Sequence, residues 1–163
     1  MKQVGEQVDL GVELKIVRGR GAAPELVQLA EVLTGPAVIS VYMRNNTGSC
    51  DKQNDALVEV AGEIKKRGYQ LIAVSRDTAG SHGRYAEKKG IDYTLVSDPD
   101  DRFAQAVDAV IDKQMYGRKF RGPLRSAWVL AADGTVEAII KKVDAKAHGE
   151  QVLGVLDGLK QES

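Results

Sequence analysis

Pro36-Ala37-Val38-Ile39-Ser40-Val41-Tyr42-Met43, running on into Arg44-Asn45-Asn46-Thr47-Gly48-Ser49-Cys50, is the stretch whose reading decides the fold. Ala37 to Met43 is a short apolar run rich in β-branched residues, which predicts a buried strand. Arg44 to Ser49 is a polar turn, and it delivers the single cysteine of a 163-residue chain. Beyond it Ala56, Leu57, Val60, Ala61 and Ile64 recur with the spacing of one helix face. Lys65, Lys66 and Arg67 put positive charge in the last turn, where the helix dipole favours it, and Gly68 ends the helix. A lone thiol therefore stands where a core strand hands over to a helix N-terminus. Unpaired backbone N–H groups and the positive end of the dipole favour the thiolate there. A free cysteine also serves often as a small buried hydrophobe. The polar, glycine-containing Thr47-Gly48-Ser49 leading into Cys50 turns the reading toward chemistry.

Working outward, the length fits one domain, residues 1–163, with room for a full core. Basic and acidic residues balance at 23 each, so no broad field draws nucleic acid or anionic lipid. Aromatic content of 5% argues against a base-stacking surface. No apolar run approaches the ~20 residues of a membrane span, and Met1 to Gly5 does not open a signal peptide. One cysteine cannot form an internal disulfide, and no zinc-type Cys/His spacing occurs. A soluble, cytoplasmic protein without metal or organic cofactor is expected.

Before the central stretch, Val12 to Val17 alternates as a half-buried strand and Arg18-Gly19-Arg20-Gly21 reads as a solvated turn. Leu26 to Leu33 fits a strand or a short helix. After Gly68, Tyr69 to Val74 is a second core strand, and a helix follows from about Ala79 to Gly90 with Tyr85 and Ala86 inward. Tyr93 to Val96 is a short strand. The acidic Asp98-Pro99-Asp100-Asp101 reads as a turn with helix capping rather than a metal site. Phe103, Ala106, Val107 and Val110 predict a helical stripe. Ser126 to Leu130 and Val136 to Val143 flank Asp133-Gly134 as a hairpin, and a final helix covers Ala147 to Leu159. The pattern is an α/β domain with a mixed sheet flanked by helices.

A reactive cysteine between the first core strand and its helix matches the thioredoxin-like architecture, and the chain resembles the peroxiredoxins of the AhpC/TSA family, most of all the bacterioferritin comigratory protein or PrxQ subfamily. Thr47 and Cys50 match the end of the family's Pro-x-x-x-Thr-x-x-Cys signature. Tyr42 matches its preceding aromatic residue, and Gln53 the Gln or Glu that follows. Arg125, before Ser126-Ala127-Trp128, matches the active-site arginine. Ala73 to Asp77, Ser81-His82, Val96-Ser97-Asp98, Met115-Tyr116-Gly117, Ala132-Asp133-Gly134 and His148 with Val152-Leu153 extend the likeness from about Gly35 to Leu156. Three places depart. Met43 replaces the signature proline, Asp9-Leu10-Gly11-Val12 replaces a Pro-Asp-Phe, and Asp55 and Ala86 occupy the subfamily's two resolving-cysteine positions. Either the cycle uses one cysteine, or a natural second one has been substituted.

The resemblance implies a thiol-dependent peroxidase for hydrogen peroxide and alkyl hydroperoxides. Cys50 would attack the peroxide and become a sulfenic acid, Thr47 would orient the oxygens, and Arg125 would stabilise developing charge. Tyr42, Met43, Ser49 and Gln53 would line the substrate pocket. An external thiol, such as thioredoxin, glutaredoxin or glutathione, would reduce the product. A monomer or weak dimer is expected. Competing readings are a Cys-His hydrolase using His82 or His148, both of which read as helix-start or surface residues, and a catalytically weak binding, sensor or chaperone module. A disulfide oxidoreductase lacks its Cys-x-x-Cys.

Overall fold

The computed structural model describes residues 1–162; Ser163, the last residue of the expected domain, lies outside the described residues. Strand β3 (Ala37–Val41) is the middle of the molecule, and all five of its residues are buried. Val38 points into one apolar cluster, while Ala37, Ile39 and Val41 point into another on the opposite face. That division is the period-two consequence of a strand covered on both sides, and it explains the near-continuous apolar run.

Strand β1 (Glu13–Val17) is followed by β2 (Glu25–Gln28), and β4 (Gln70–Ser75) and β5 (Thr94–Ser97) lie further along the chain. With β8 (Ser126–Leu130) and β9 (Val136–Ile140) they form a seven-stranded sheet in the order β2-β1-β5-β4-β3-β8-β9. The sheet is mixed: β3 runs parallel to β4, with Ile39 opposite Ile72, and antiparallel to β8, with Ile39 opposite Trp128. Helices α2 (Gly48–Lys66), α3 (Ala79–Lys89) and α5 (His148–Glu162) contribute Leu57, Ile64, Tyr85, Ala86, Val152 and Leu156 to one cluster. Helices α1 (Leu29–Val32) and α4 (Arg102–Ala106) contribute Leu29, Val32 and Phe103 to the other. Each such Leu, Ile, Val or Phe side chain, once fully buried, contributes about 1.5–3 kcal/mol. Among the described residues no helix is long and apolar enough to cross a membrane.

Helices α2 and α5 meet closely at Gly149, where a Cβ would stand 2.7 Å from the Ala56 carbonyl oxygen. Helix α2 ends as its sequence requires, with Gly68 at φ +86°, and α3 ends on Gly90 in the left-handed conformation. The undecided segment from Leu26 to Leu33 is both things in turn, the end of β2 and then α1.

The expected stripe through Val110 is broken. Helix α4 stops at Ala106, Asp108 turns at φ 54°, and Val110 begins β6 (Val110–Met115). Strand β6 pairs with β7 (Arg118–Pro123) as a separate hairpin, closed by Tyr116 and Gly117, both at positive φ. Two successive positive-φ residues match the twist of a two-residue turn. β9 likewise ends at Ile140, short of the expected Val143.

Candidate active site

Cys50 lies in the first turn of α2, at the C-terminal end of β3, as its sequence position requires. The turn before it is held without the proline that the resembled signature would supply at Met43. Tyr42, fully buried, donates from its hydroxyl to Asn45 Oδ1 at 2.5 Å. The Asn45 amide nitrogen donates to Ser81 Oγ and His82 Nδ1, each at 3.1 Å, and its backbone N–H donates to Asp77 Oδ2 at 2.9 Å. His82 Nε2 faces the Val96 carbonyl at 3.0 Å, so Nε2 carries the proton and Nδ1 accepts. Burial holds this imidazole below its ordinary value and so keeps it neutral. Asn46, at φ 62°, accepts from Lys88 Nζ at 2.8 Å. Side chains from α3 and from the turn after β4 thus fix a loop that a ring would otherwise have stiffened.

Thr47 is exposed and takes the N-cap position, but its hydroxyl does not cap the helix. It donates to the Arg44 carbonyl at 2.9 Å, which leaves its oxygen free to accept a hydrogen from a guest. Ser49 is exposed beside it. Cys50 itself is only 1% exposed. It belongs to the apolar cluster with Tyr42 and Leu57, and Met43 packs against the same cluster.

Arg125, just before β8, reaches across to the thiol: its Nη2 lies 3.4 Å from Cys50 Sγ. Its other arm is anchored, with Nη1 donating to Gln53 Oε1 at 3.0 Å. Gln53 sits one turn beyond Cys50 on α2, fully buried, and its amide nitrogen donates to Ser40 Oγ at 2.9 Å. Ser40 Oγ lies 3.1 Å from His148 Nε2, and His148 Nδ1 lies 3.1 Å from Gln151 Oε1. Gln151 Oε1 can only accept, so Nδ1 donates. Burial lowers His148 and Arg125 lowers it further, so the ring is neutral and its Nε2 accepts from Ser40. Every hydrogen along this path has a fixed direction, from Arg125 through Gln53 and Ser40 to the first turn of α5.

The candidates Cys50, Thr47, Arg125 and Gln53 thus come together, with Tyr42 and Met43 closing the wall behind the thiol. Ser40, Asn45 and Asp77 escaped the sequence reading as site residues, and His82 and His148 entered it only as the bases of the competing hydrolase. Both histidines are fully buried rather than superficial, and each ring is committed to partners other than Cys50, which removes the Cys-His pairing of a hydrolase. A polar Ser40 inside an otherwise apolar strand was the one signal available. Among the described residues no cluster of His, Cys, Asp and Glu could hold a metal ion, and Asp98 instead caps α4 by accepting from Arg102 and Phe103 N–H groups.

Comparison with known proteins gives a consistent picture. Residues 11–139 match the model of the AhpC/TSA family. The chain is 33% identical over 119 residues to Peroxiredoxin Bcp of Xanthomonas campestris, covering 73% of this chain and 74% of that protein. A structure of the Xanthomonas campestris bacterioferritin comigratory protein, described for its alkyl peroxide reduction activity, superposes with a TM-score of 0.81 at 26% identity, covering 98% of this chain and 99% of that one. Two cysteine-to-serine variants of Xanthomonas campestris Peroxiredoxin Q superpose with TM-scores of 0.81 at 27% identity, covering 99% or more of both chains. The spacing between their substituted positions equals the spacing from Cys50 to Ala86.

Proposed function

The chain belongs to the AhpC/TSA family; as a thiol-dependent peroxidase of the Bcp/PrxQ kind with one cysteine, it works, we propose, through Cys50, Thr47 and Arg125. The observation that carries the assignment is the Arg125 fork, one arm 3.4 Å from Cys50 Sγ and the other anchored on Gln53. The Cys50 thiolate attacks the terminal oxygen of a hydroperoxide. The O–O bond breaks, Cys50 becomes a sulfenic acid, and the leaving alkoxide or hydroxide takes up a proton. Thr47 Oγ1, its own hydrogen spent on the Arg44 carbonyl, accepts from the peroxide O–H and aims the terminal oxygen at sulfur. Arg125 and the unpaired N–H groups of the first turn of α2 offset the charge that develops on the departing oxygen. Tyr42, Met43, Ser49 and Gln53 shape the pocket.

With no second cysteine in the chain, the sulfenic acid is returned to the thiol by an outside reductant, for which thioredoxin, glutaredoxin and glutathione are the candidate classes. We assign hydrogen peroxide and alkyl hydroperoxides as substrates, and a single cytoplasmic domain, monomeric or weakly dimeric, as the working form. Peroxide loss in the presence of a thiol reductant tests the reading. The wild-type chain is expected to consume peroxide far faster than the same concentration of free cysteine. Cys50→Ser should abolish this, and an active Cys50→Ser protein would overturn the assignment.

A further inference from the structure

Beside the thiol loop lies a pocket of about 500 Å³, roughed out by the loop on one side and by the β6–β7 hairpin on the other. That volume is within the range of small-molecule sites. Its apolar wall is Met43, Phe120 and Pro123, and Phe120 is 40% exposed. Its charged groups do not cancel one another. Asp77 is occupied by the Asn45 N–H and by Ser75 Oγ at 2.6 Å, and Arg76 grips Asp101. Arg44 and Lys113 are left, and among the described residues neither has a carboxylate within ion-pair distance.

Lys113 is the more telling of the two. Its ammonium is half-buried and donates at 2.7 Å to Met43 Sδ, a thioether with little capacity as an acceptor. Burial first, and then Arg125 and Arg76, push it below the ordinary lysine value, with Asp101 and Cys50 opposing. A half-buried cation with sulfur as its partner is a costly arrangement that an anionic guest relieves. The guest would sit next to the reacting sulfur, because Met43 packs on the cluster that contains Cys50 and Arg125 touches both Cys50 and the field at Lys113.

We propose that this pocket binds the carboxylate of a small anionic thiol, the reductant that regenerates Cys50. The proposal rests on the peroxidase reading, since it concerns the second half of that cycle. The reductant is singled out over the peroxide because a chain with one cysteine must admit an external thiol in every turnover. In the first step the thiol sulfur bonds to Cys50 Sγ, and the sulfenic hydroxyl leaves with the thiol proton as water. A second thiol then attacks the guest's sulfur, releasing Cys50 as thiol and leaving a small disulfide. The two thiols supply both electrons.

The test begins with protein oxidised by one equivalent of hydrogen peroxide, its sulfenic acid verified by dimedone trapping. The rate at which that sulfenic acid disappears is then measured with 3-mercaptopropionate, 2-mercaptoethanol and cysteamine at equal thiolate concentration. The expected order is anionic, neutral, cationic, with the first about tenfold or more faster than the last at low salt. Lys113→Gln and Arg44→Gln, both outside the apolar core, should each draw the anionic-to-cationic ratio toward one. A charge-blind order overturns the proposal, as does a charge order that survives both substitutions together. A parallel arm compares a fatty-acid hydroperoxide with tert-butyl hydroperoxide in the oxidation step; dependence on Lys113 there and not in the thiol step also overturns it. Failure to form any sulfenic acid would instead overturn the peroxidase reading, and this proposal with it.

Discussion

Replacing Gln53 with Met keeps the volume and the helix while removing every polar bond the side chain makes. Gln53 is fully buried between Arg125 and Ser40, so nothing else can take its place. Arg125 Nη1 loses its acceptor, a charge-assisted bond worth about 1.5–3 kcal/mol. The guanidinium is then free to leave Cys50 Sγ, and only the population still in place assists the reaction. At 1.36 kcal/mol per decade, losing that anchor lowers the rate of Cys50 oxidation about ten- to hundredfold. The bond to Ser40 Oγ goes as well, for a net stability cost of about 1–3 kcal/mol. Ser40→Ala separates positioning from stability, because it leaves the Gln53–Arg125 contact intact and should keep the rate within about threefold. Quench-flow oxidation with hydrogen peroxide, read by intact mass, measures all three proteins. A Gln53→Met protein that reacts like wild type would refute the positioning role, and so would a Ser40→Ala protein that loses as much.

Three further outcomes follow from named contacts. Burial holds both His82 and His148 below the ordinary 6.5, so the unfolded chain binds protons there that the folded chain refuses. Their contribution is fully present above that value and is lost as pH falls through it, at up to about 1.4 kcal/mol per pH unit for each histidine. Denaturant midpoints at about pH 7.5 and about pH 5.5 check the sign, and equal midpoints would contradict it. Gly149→Ala should cost about 1–3 kcal/mol, because its methyl group meets the Ala56 carbonyl and Val60 where α2 and α5 touch. Thermal unfolding at unchanged Tm would mean the two helices part freely. Peroxide without reductant should carry Cys50 on to the sulfinic or sulfonic acid, since Asp55 and Ala86 offer no sulfur, whereas thiol present from the start protects it. Intact mass after graded peroxide reads this, and an intermolecular disulfide as the main product would refute it.

The sheet and the position of Cys50 were legible because they rest on periodicity and on local stops: the buried run at β3, the alternating strand at β1, and glycines 68 and 90 at positive φ. Thr47 and Arg125 were legible only by resemblance, since nothing local distinguishes Arg125 from an ordinary arginine before a strand. The β6–β7 hairpin was hidden because its turn is Tyr116-Gly117, not a common turn pair, and because Val110 happened to continue the spacing set by Phe103. The two buried histidines were hidden for a different reason. Their partners, Asn45 and Ser40, stand 37 and 108 residues away, and no local pattern encodes a hydrogen bond across the sheet. The same is true of Lys113, whose half-buried place beside Met43 depends on how the hairpin folds back.

The central claim is that a thiol 1% exposed, with Arg125 at 3.4 Å, reacts selectively with peroxide. Its most direct measurement is one equivalent of hydrogen peroxide at neutral pH, with dimedone present, followed by peptide mass spectrometry. Dimedone should appear on Cys50 within the mixing time in the wild-type chain, and at least about tenfold more slowly in Arg125→Met. An unlabelled Cys50, or equal labelling of the two proteins, would contradict the account.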